Sequence, residues 1–245
     1  MGRNQIIEKL HQLRMPAMAT AYERQEQGVD YEGLTFEERL GFLVDAEFLS
    51  RQNRKLARFL HDARLRVPAT PEDINYRQSR GLDRSVMRAL LEGGWLERQQ
   101  NITVTGPTGV GKTYLICALG HAACRQGYRV RYMRVPRLLD ELTVSRGDGR
   151  YSSLLRQLAK YDLLILDDWG LSPLTSVQGR ELLEVLDDRV DLRSTCVASQ
   201  IPYELWHGQI PDPTIADSVI DRLLNKSHHI ALAGDSMRTA APVLS

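Results

Sequence analysis

The stretch GPTGVGKT, residues 106–113, constrains the fold of this chain more than any other short segment. It has the form G-x-x-x-x-G-K-T, with the apolar run ITVT directly before it and a helix-forming run directly after it. Strand, glycine-rich turn and helix in that order make a phosphate-binding loop in an α/β protein. Glycines let the backbone take positive φ and close around an anion without Cβ clashes. The N–H groups of the turn then converge, and the following helix adds the positive end of its dipole. Gly106, Pro107, Thr108, Gly109, Val110, Gly111, Lys112, Thr113 and Tyr114 are therefore the predicted nucleotide-binding residues, with ATP as the ligand. Lys112 suits the β- and γ-phosphates, and the Thr113 hydroxyl suits Mg2+.

A second element supports the first. LLILDD, residues 163–168, is an apolar run ending in two carboxylates. Four consecutive apolar residues predict a central strand buried on both faces. Asp167 at its tip would hold Mg2+, and Asp168 would polarise the attacking water. Downstream, STCVASQ predicts a neighbouring strand whose polar end aims Gln200 or Ser199 at the γ-phosphate. Hydrolysis at such a site needs positioning and charge neutralisation, without a covalent intermediate. One more cation would be worth about 10³-fold or more in rate. Arg222, beside the apolar stripe of ADSVIDRLLNKS, and Arg238, just after the last predicted strand, are the two candidates.

From residue 101 onward, short apolar strands alternate with amphipathic helices, as in a parallel sheet covered on both faces. The predicted strands are ITVT, YRVRYM, DLLILDD, STCVAS and HHIALA. The predicted helices cover 114–126, 135–145, 152–161, 177–191 and 215–227. Residues 1–66 show helical spacing instead, with Ile6, Leu10 and Leu13, then Phe36, Leu40, Leu43, Val44 and Phe48. The predicted organisation is an all-α N-terminal domain at 1–66, a linker and lead-in helix at 67–98, a nucleotide-binding domain at 99–238 and a flexible tail at 239–245.

The net charge of +1 over 245 residues names no partner, but charge segregates along the chain. Residues 1–50 carry five Lys/Arg against nine Asp/Glu, whereas residues 51–88 carry ten against four. On a helix, Arg51, Arg54, Lys55 and Arg58 fall within about 100° of one another. Leu49, Leu56, Phe59, Leu60 and Ala63 occupy another arc. The four cations make a predicted DNA-binding ridge, one that contacts phosphates without reading sequence; a solvated helix face is the other reading. Arg125, Arg129, Arg131 and Arg134 flank the second strand, where they would line a DNA channel in an oligomer or protect a sheet edge. Cys117, Cys124 and Cys196 lack metal spacing and read as core residues in a reducing compartment. His228 and His229 read as structural. MGRNQIIEKLHQLR has no apolar signal core, and no run is long enough to span a membrane. The expected location is cytoplasmic.

Together the segments NITVTGPTGVGKTYLICALGHAACRQGYRVRYM, DLLILDDWGLSPL, RSTCVASQIPYELW, ADSVIDRL and ALAGDSMR resemble the IstB-type transposition helper ATPases. These are AAA+ proteins encoded beside a transposase and similar to the DnaC helicase loaders. The resemblance is strong over residues 80–240. It implies a AAA+ core with a five-stranded parallel sheet. It also implies ATP-dependent self-assembly on double-stranded DNA, and help to a cognate transposase in choosing its target. It assigns Arg222 as the arginine finger, Arg238 as the second sensor arginine and Gln200 to the first sensor. Two departures stand out: Asp168 occupies a place often held by Glu, and too few residues follow 227 to build a C-terminal lid. A helicase loader shares the core and would use its N-terminal domain to grip a helicase. A small-molecule kinase is a weaker alternative, because no arginine-bearing lid or acceptor pocket is visible.

Overall fold

In a computed structural model, residues 2–28, 31, 33–77 and 80–237 are described. The chain divides into two compact units, residues 1–58 and residues 59–245.

The first unit is helical: α1 (Arg3–Gln12), α2 (Pro16–Gln27) and most of α3 (Phe36–Ala63). Pro16 opens α2, where its missing N–H costs nothing. The next two donors, Ala17 N and Met18 N, are taken by Glu47 Oε2 from α3, at 3.0 and 3.3 Å. Gln25 Nε2 donates to the Arg39 carbonyl at 2.8 Å, a second tie between the same two helices. The predicted apolar stripe of α3 is buried only at Leu43. Phe36, Val44 and Phe48 are 72%, 52% and 58% exposed, and Leu49, expected on the packed arc, is 57% exposed. Helical spacing locates the stripe but cannot say whether a partner covers it.

The second unit is built on five parallel strands: β1 (Asn101–Thr105), β2 (Val130–Arg134), β3 (Leu163–Trp169), β4 (Ser194–Ser199) and β5 (Ser227–Ala231). Their order is β2-β3-β4-β1-β5. The connecting helices are α6 (Lys112–Arg125), α7 (Val135–Gly147), α8 (Tyr151–Ala159), α9 (Ser176–Asp187) and α10 (Pro213–Leu224). Two short helices, α4 (Arg84–Leu91) and α5 (Gly94–Glu97), precede β1 and bury Met87, Leu90, Trp95 and Leu96. Residues 59–98 thus pack with the sheet unit.

Side-chain parity along β3 positions the site. Leu164 and Leu166 point into the core formed with α7, α8, α9 and α10. Ile165 points the other way, towards α6, where Gly120 leaves it room: a Cβ there would lie 2.7 Å from the Ile165 Cδ1. By alternation Asp167 falls on the α6 side. The pattern then breaks. Three steps on β3, Leu166 to Trp169, match two on β4, Val197 to Ser199. This one-residue bulge carries Asp168 in the left-handed region, φ 61°. It also returns Trp169 to the α9 and α10 side, where its ring lies 5.3 Å from that of Trp206. Aspartate tolerates left-handed backbone better than most residues.

The three cysteines are buried as expected, on α6 and β4. His229 Nδ1 meets Thr103 Oγ1 at 2.6 Å and His228 Nε2 meets Gln100 Oε1 at 3.0 Å. Among the described residues, no helix is long and apolar enough to cross a membrane.

Candidate functional site

The carboxyl ends of β1, β3 and β4 converge on a cleft of about 530 Å³. Ligands bind at this end of open parallel sheets, beside the point where strand order reverses. The cleft is lined by Thr108, Gly109, Gly111, Lys112, Thr113 and Tyr114 from the loop and α6, by Asp167 and Asp168 from β3, and by Ser199 and Gln200 at the end of β4.

The loop has the backbone that its glycines predict. Gly106 has φ 147°, and a Cβ on it would lie 2.3 Å from the Leu232 carbonyl oxygen. Gly111 caps α6 at φ 95°, with a hypothetical Cβ 2.4 Å from the Arg80 guanidinium. Gly106 excludes a side chain both by strain and by the Leu232 backbone, and Gly111 disfavours one by the strain of its positive φ. The segment after β5 closes over the loop, with Leu232 N donating to Thr105 O at 2.8 Å and Met237 N to Gly109 O at 3.0 Å. Arg238 lies outside the described residues.

Lys112 is 8% exposed, and its ammonium donates to the carbonyls of Gly106 and Pro107 at 2.6 and 2.7 Å. Thr113, in the first turn of α6, donates its hydroxyl to Asp167 Oδ2 at 2.8 Å. The two predicted metal ligands are thus adjacent. Hard oxygen donors of this kind, beside a nest of N–H groups and a lysine, fit Mg2+ with a triphosphate. Asp167 is 2% exposed and also accepts from Tyr132 at 2.7 Å and, through Oδ1, from Asp168 N at 2.9 Å. Burial first, and then the bond to Asp167, push the Tyr132 phenol well above its ordinary pKa, so it stays a proton donor.

Of the two sensor candidates at the end of β4, Ser199 is fully buried. Its hydroxyl donates to Trp169 O at 2.9 Å and accepts from Ile201 N at 3.1 Å. Gln200 is exposed at the cleft, its Oε1 accepting from the Thr108 hydroxyl at 2.9 Å. Arg222 is not brought to this cleft. Its carbonyl accepts from Asn101, at the opposite end of β1, at 2.8 Å, and its Nε donates to Asp187 at 2.7 Å. The length of β1, roughly 15 Å, separates it from the loop of its own chain.

Four residues at the site have no place there that sequence reasoning assigns. Arg134 ends β2 in register with Asp167 and bonds Asp168; Arg66 Nη1 lies 3.5 Å from the same carboxylate. The hydrogen bond to Tyr132 is the chief cause that raises the Arg66 pKa. Buried Arg80 donates to the Val110 carbonyl at 2.8 Å and so braces the loop from below. Tyr132 is the fourth. Parallel pairing of β2 with β3 is the one signal that points to Tyr132 and Arg134, because their strand must end beside the acidic tip. The remaining basic cluster is engaged elsewhere: Arg125 with Glu72, Arg129 with Asp162, and Arg131 with the Asp62 carbonyl. Of these, Arg131 lies on β2, an edge strand, where it places a charge at the sheet edge.

The predicted ridge lies on α3. Arg51, Arg54, Lys55 and Arg58, with Arg14, line a shallow groove, and the four are exposed. Arg51 and Arg54 are partly committed within the unit, to Glu47 Oε1 at 2.8 and 3.3 Å.

The profile of the family described as IstB-like ATP binding protein matches residues 8–243. An insertion sequence ATP-binding protein of Sinorhizobium fredii, y4pL, is 46% identical over 232 residues, 95% of each chain. The ATP-binding protein of insertion sequence IS1162 from Pseudomonas fluorescens is 47% identical over 197 residues, 80% of this chain and 85% of that one. Among solved structures, DnaI superposes with TM-score 0.59 at 20% identity, over 72% of this chain and 93% of its own. The DnaC helicase loader gives TM-score 0.53 at 19% identity, over 60% and 86%. These likenesses show that the sheet unit shares the α/β P-loop fold of DnaI and of the DnaC helicase loader.

Proposed function

The chain belongs to the family of IstB-like ATP-binding proteins, and from that premise we propose that it hydrolyses ATP, assembles on double-stranded DNA and assists a transposase in target selection. The observation that carries the reading is the convergence of Lys112, Thr113, Asp167 and Asp168 at one strand end. Lys112 would move from the loop carbonyls to the phosphates. Thr113 and Asp167 would hold Mg2+, which supplies charge neutralisation across the β- and γ-phosphates. Asp168 would orient water, and Gln200 would face the terminal phosphate from the end of β4.

Arg222 completes a site only if it comes from another copy, because its own cleft lies beyond the far end of β1. That placement supports an arginine finger in trans and hydrolysis that depends on assembly. Exposed Phe36, Val44 and Phe48, which share one side of α3, form an apolar face of the kind that self-association covers. The α3 ridge suits DNA backbone contact without sequence readout, as many-target insertion requires. Binding ATP across subunit boundaries would stabilise the assembly by mass action, and hydrolysis would release it.

The test is the mass of the protein by light scattering, with and without ATP and duplex DNA, alongside ATPase rate with and without that DNA. The reading expects a larger, nucleotide-dependent species and a faster rate with DNA. A monomer under all conditions, with a rate indifferent to DNA, would overturn it. The likeness to DnaI and DnaC supports a second reading, loading of a replicative helicase. Capture of the helicase rather than the transposase encoded alongside would select it.

A further inference from the structure

Two arginines meet at the carboxylate assigned to water. Arg134 closes β2, pairs in register with Asp167 and donates its Nε to Asp168 Oδ2. Arg66, three residues past the end of α3, brings Nη1 to the same oxygen at 3.5 Å. Both side chains line the cleft that holds Lys112 and Thr113. They are 39% and 45% exposed, whereas the Asp168 side chain is 17% exposed.

A carboxylate with two guanidinium donors on one oxygen has its charge balanced and accepts weakly from anything else, water included. The positive φ of Asp168 and the adjacent bulge set its backbone, and the longer, more exposed arginine side chains are the partners with more room to move. A terminal phosphoryl group offers three oxygens and more charge than a carboxylate, and a planar guanidinium matches it with two bonds at once. A nucleoside diphosphate lacks that group.

We propose that Arg134 and Arg66 are the cations by which this site reads a γ-phosphate in cis, held on Asp168 until a nucleoside triphosphate draws them away and so frees Asp168 to orient water. The pair then sets a preference for triphosphate over diphosphate. It also keeps the water-orienting group engaged whenever no triphosphate is present. The inference rests on the nucleotide reading of the cleft and adds a specificity to it.

The experiment is calorimetric titration of the full chain, without DNA, using a non-hydrolysable ATP analogue and ADP, each with Mg2+. Arg134→Gln and Arg66→Gln should each lower affinity for the analogue by about tenfold or more, the size of one lost charge-assisted bond. ADP affinity should stay within about twofold, because the lost bond is one that ADP never makes. Arg134→Lys should recover part of the analogue affinity. A variant that merely loosened the strand tip would weaken both nucleotides together. Equal loss for both, or no loss for either in both Gln variants, would refute the pair as γ-phosphate readers while leaving the nucleotide site standing. Failure of the unsubstituted chain to bind either nucleotide would refute the site, and this inference with it.

Discussion

Replacing Arg51, Arg54, Lys55 and Arg58 together by Ala tests the DNA reading of α3 with a number. Each phosphate contact contributes about 0.9 to the slope of log K against log salt, so four contacts bound the change at about 3.6. Over a fourfold rise in salt, that difference amounts to about two orders of magnitude in affinity. The structure lowers the expectation from this ceiling. Glu47 already holds Arg51 and Arg54, at 2.8 and 3.3 Å, and a guanidinium shared with a carboxylate displaces fewer counterions. A flattening of about 2 to 3 is therefore expected. Glu47→Gln gives the complementary change. Losing the negative charge frees both arginines, so the slope of this variant should steepen. The same substitution weakens the capping of Ala17 N and Met18 N and should cost about 1–2 kcal/mol of stability in the helical unit. The assay is fluorescence anisotropy with a labelled random-sequence duplex over a salt series. An unchanged slope in the quadruple variant would refute the ridge and return α3 to a solvated face.

Further outcomes follow from the same geometry. Tyr132→Phe removes one bond to buried Asp167 and should cost about 1–2 kcal/mol, or roughly 3–6 °C in thermal unfolding; an unchanged midpoint would show that the hydroxyl does not hold the acidic tip. Arg222→Ala should keep ATP binding and lose hydrolysis, and mixing it with Asp168→Ala protein should restore part of the rate. Mixtures no faster than their components would rule out a finger acting in trans. Arg189→Met should destabilise the sheet unit by about 3 kcal/mol or more, because it strips donors from the buried carbonyls of Leu158 and Ser194 and the part-buried one of Tyr161. Chemical denaturation would measure this, and a loss under about 1 kcal/mol would contradict it.

The parts of the site written in consecutive residues are legible in the sequence alone. GPTGVGKT and LLILDD each combine a local backbone demand with a local charge, and their period identifies strand and helix unaided. All five strands and the helices between them fall close to their expected places. The parts that are not legible depend on elements distant in sequence. Arg66 reaches Asp168 across 102 positions, and nothing around RLRVPATP announces it. Arg134 stands out as a charge on a strand, but its partner follows only from β2 pairing with β3. The bulge at Asp168 leaves no mark in an apolar run followed by two acids. Glu47 reads as one more acidic residue in the first fifty, and only the approach of α2 turns it into a cap that also restrains two arginines. Leu49 shows the reverse case, where spacing predicts burial and no neighbour supplies it.

The central claim is that the turn at residues 106–113 and the acidic end of β3 grip one nucleotide between them. Calorimetric titration of Mg–ATP into the unsubstituted chain and into Lys112→Ala tests it most directly. The account predicts saturable, one-to-one binding that the substitution abolishes. Equal affinity in both proteins would contradict it.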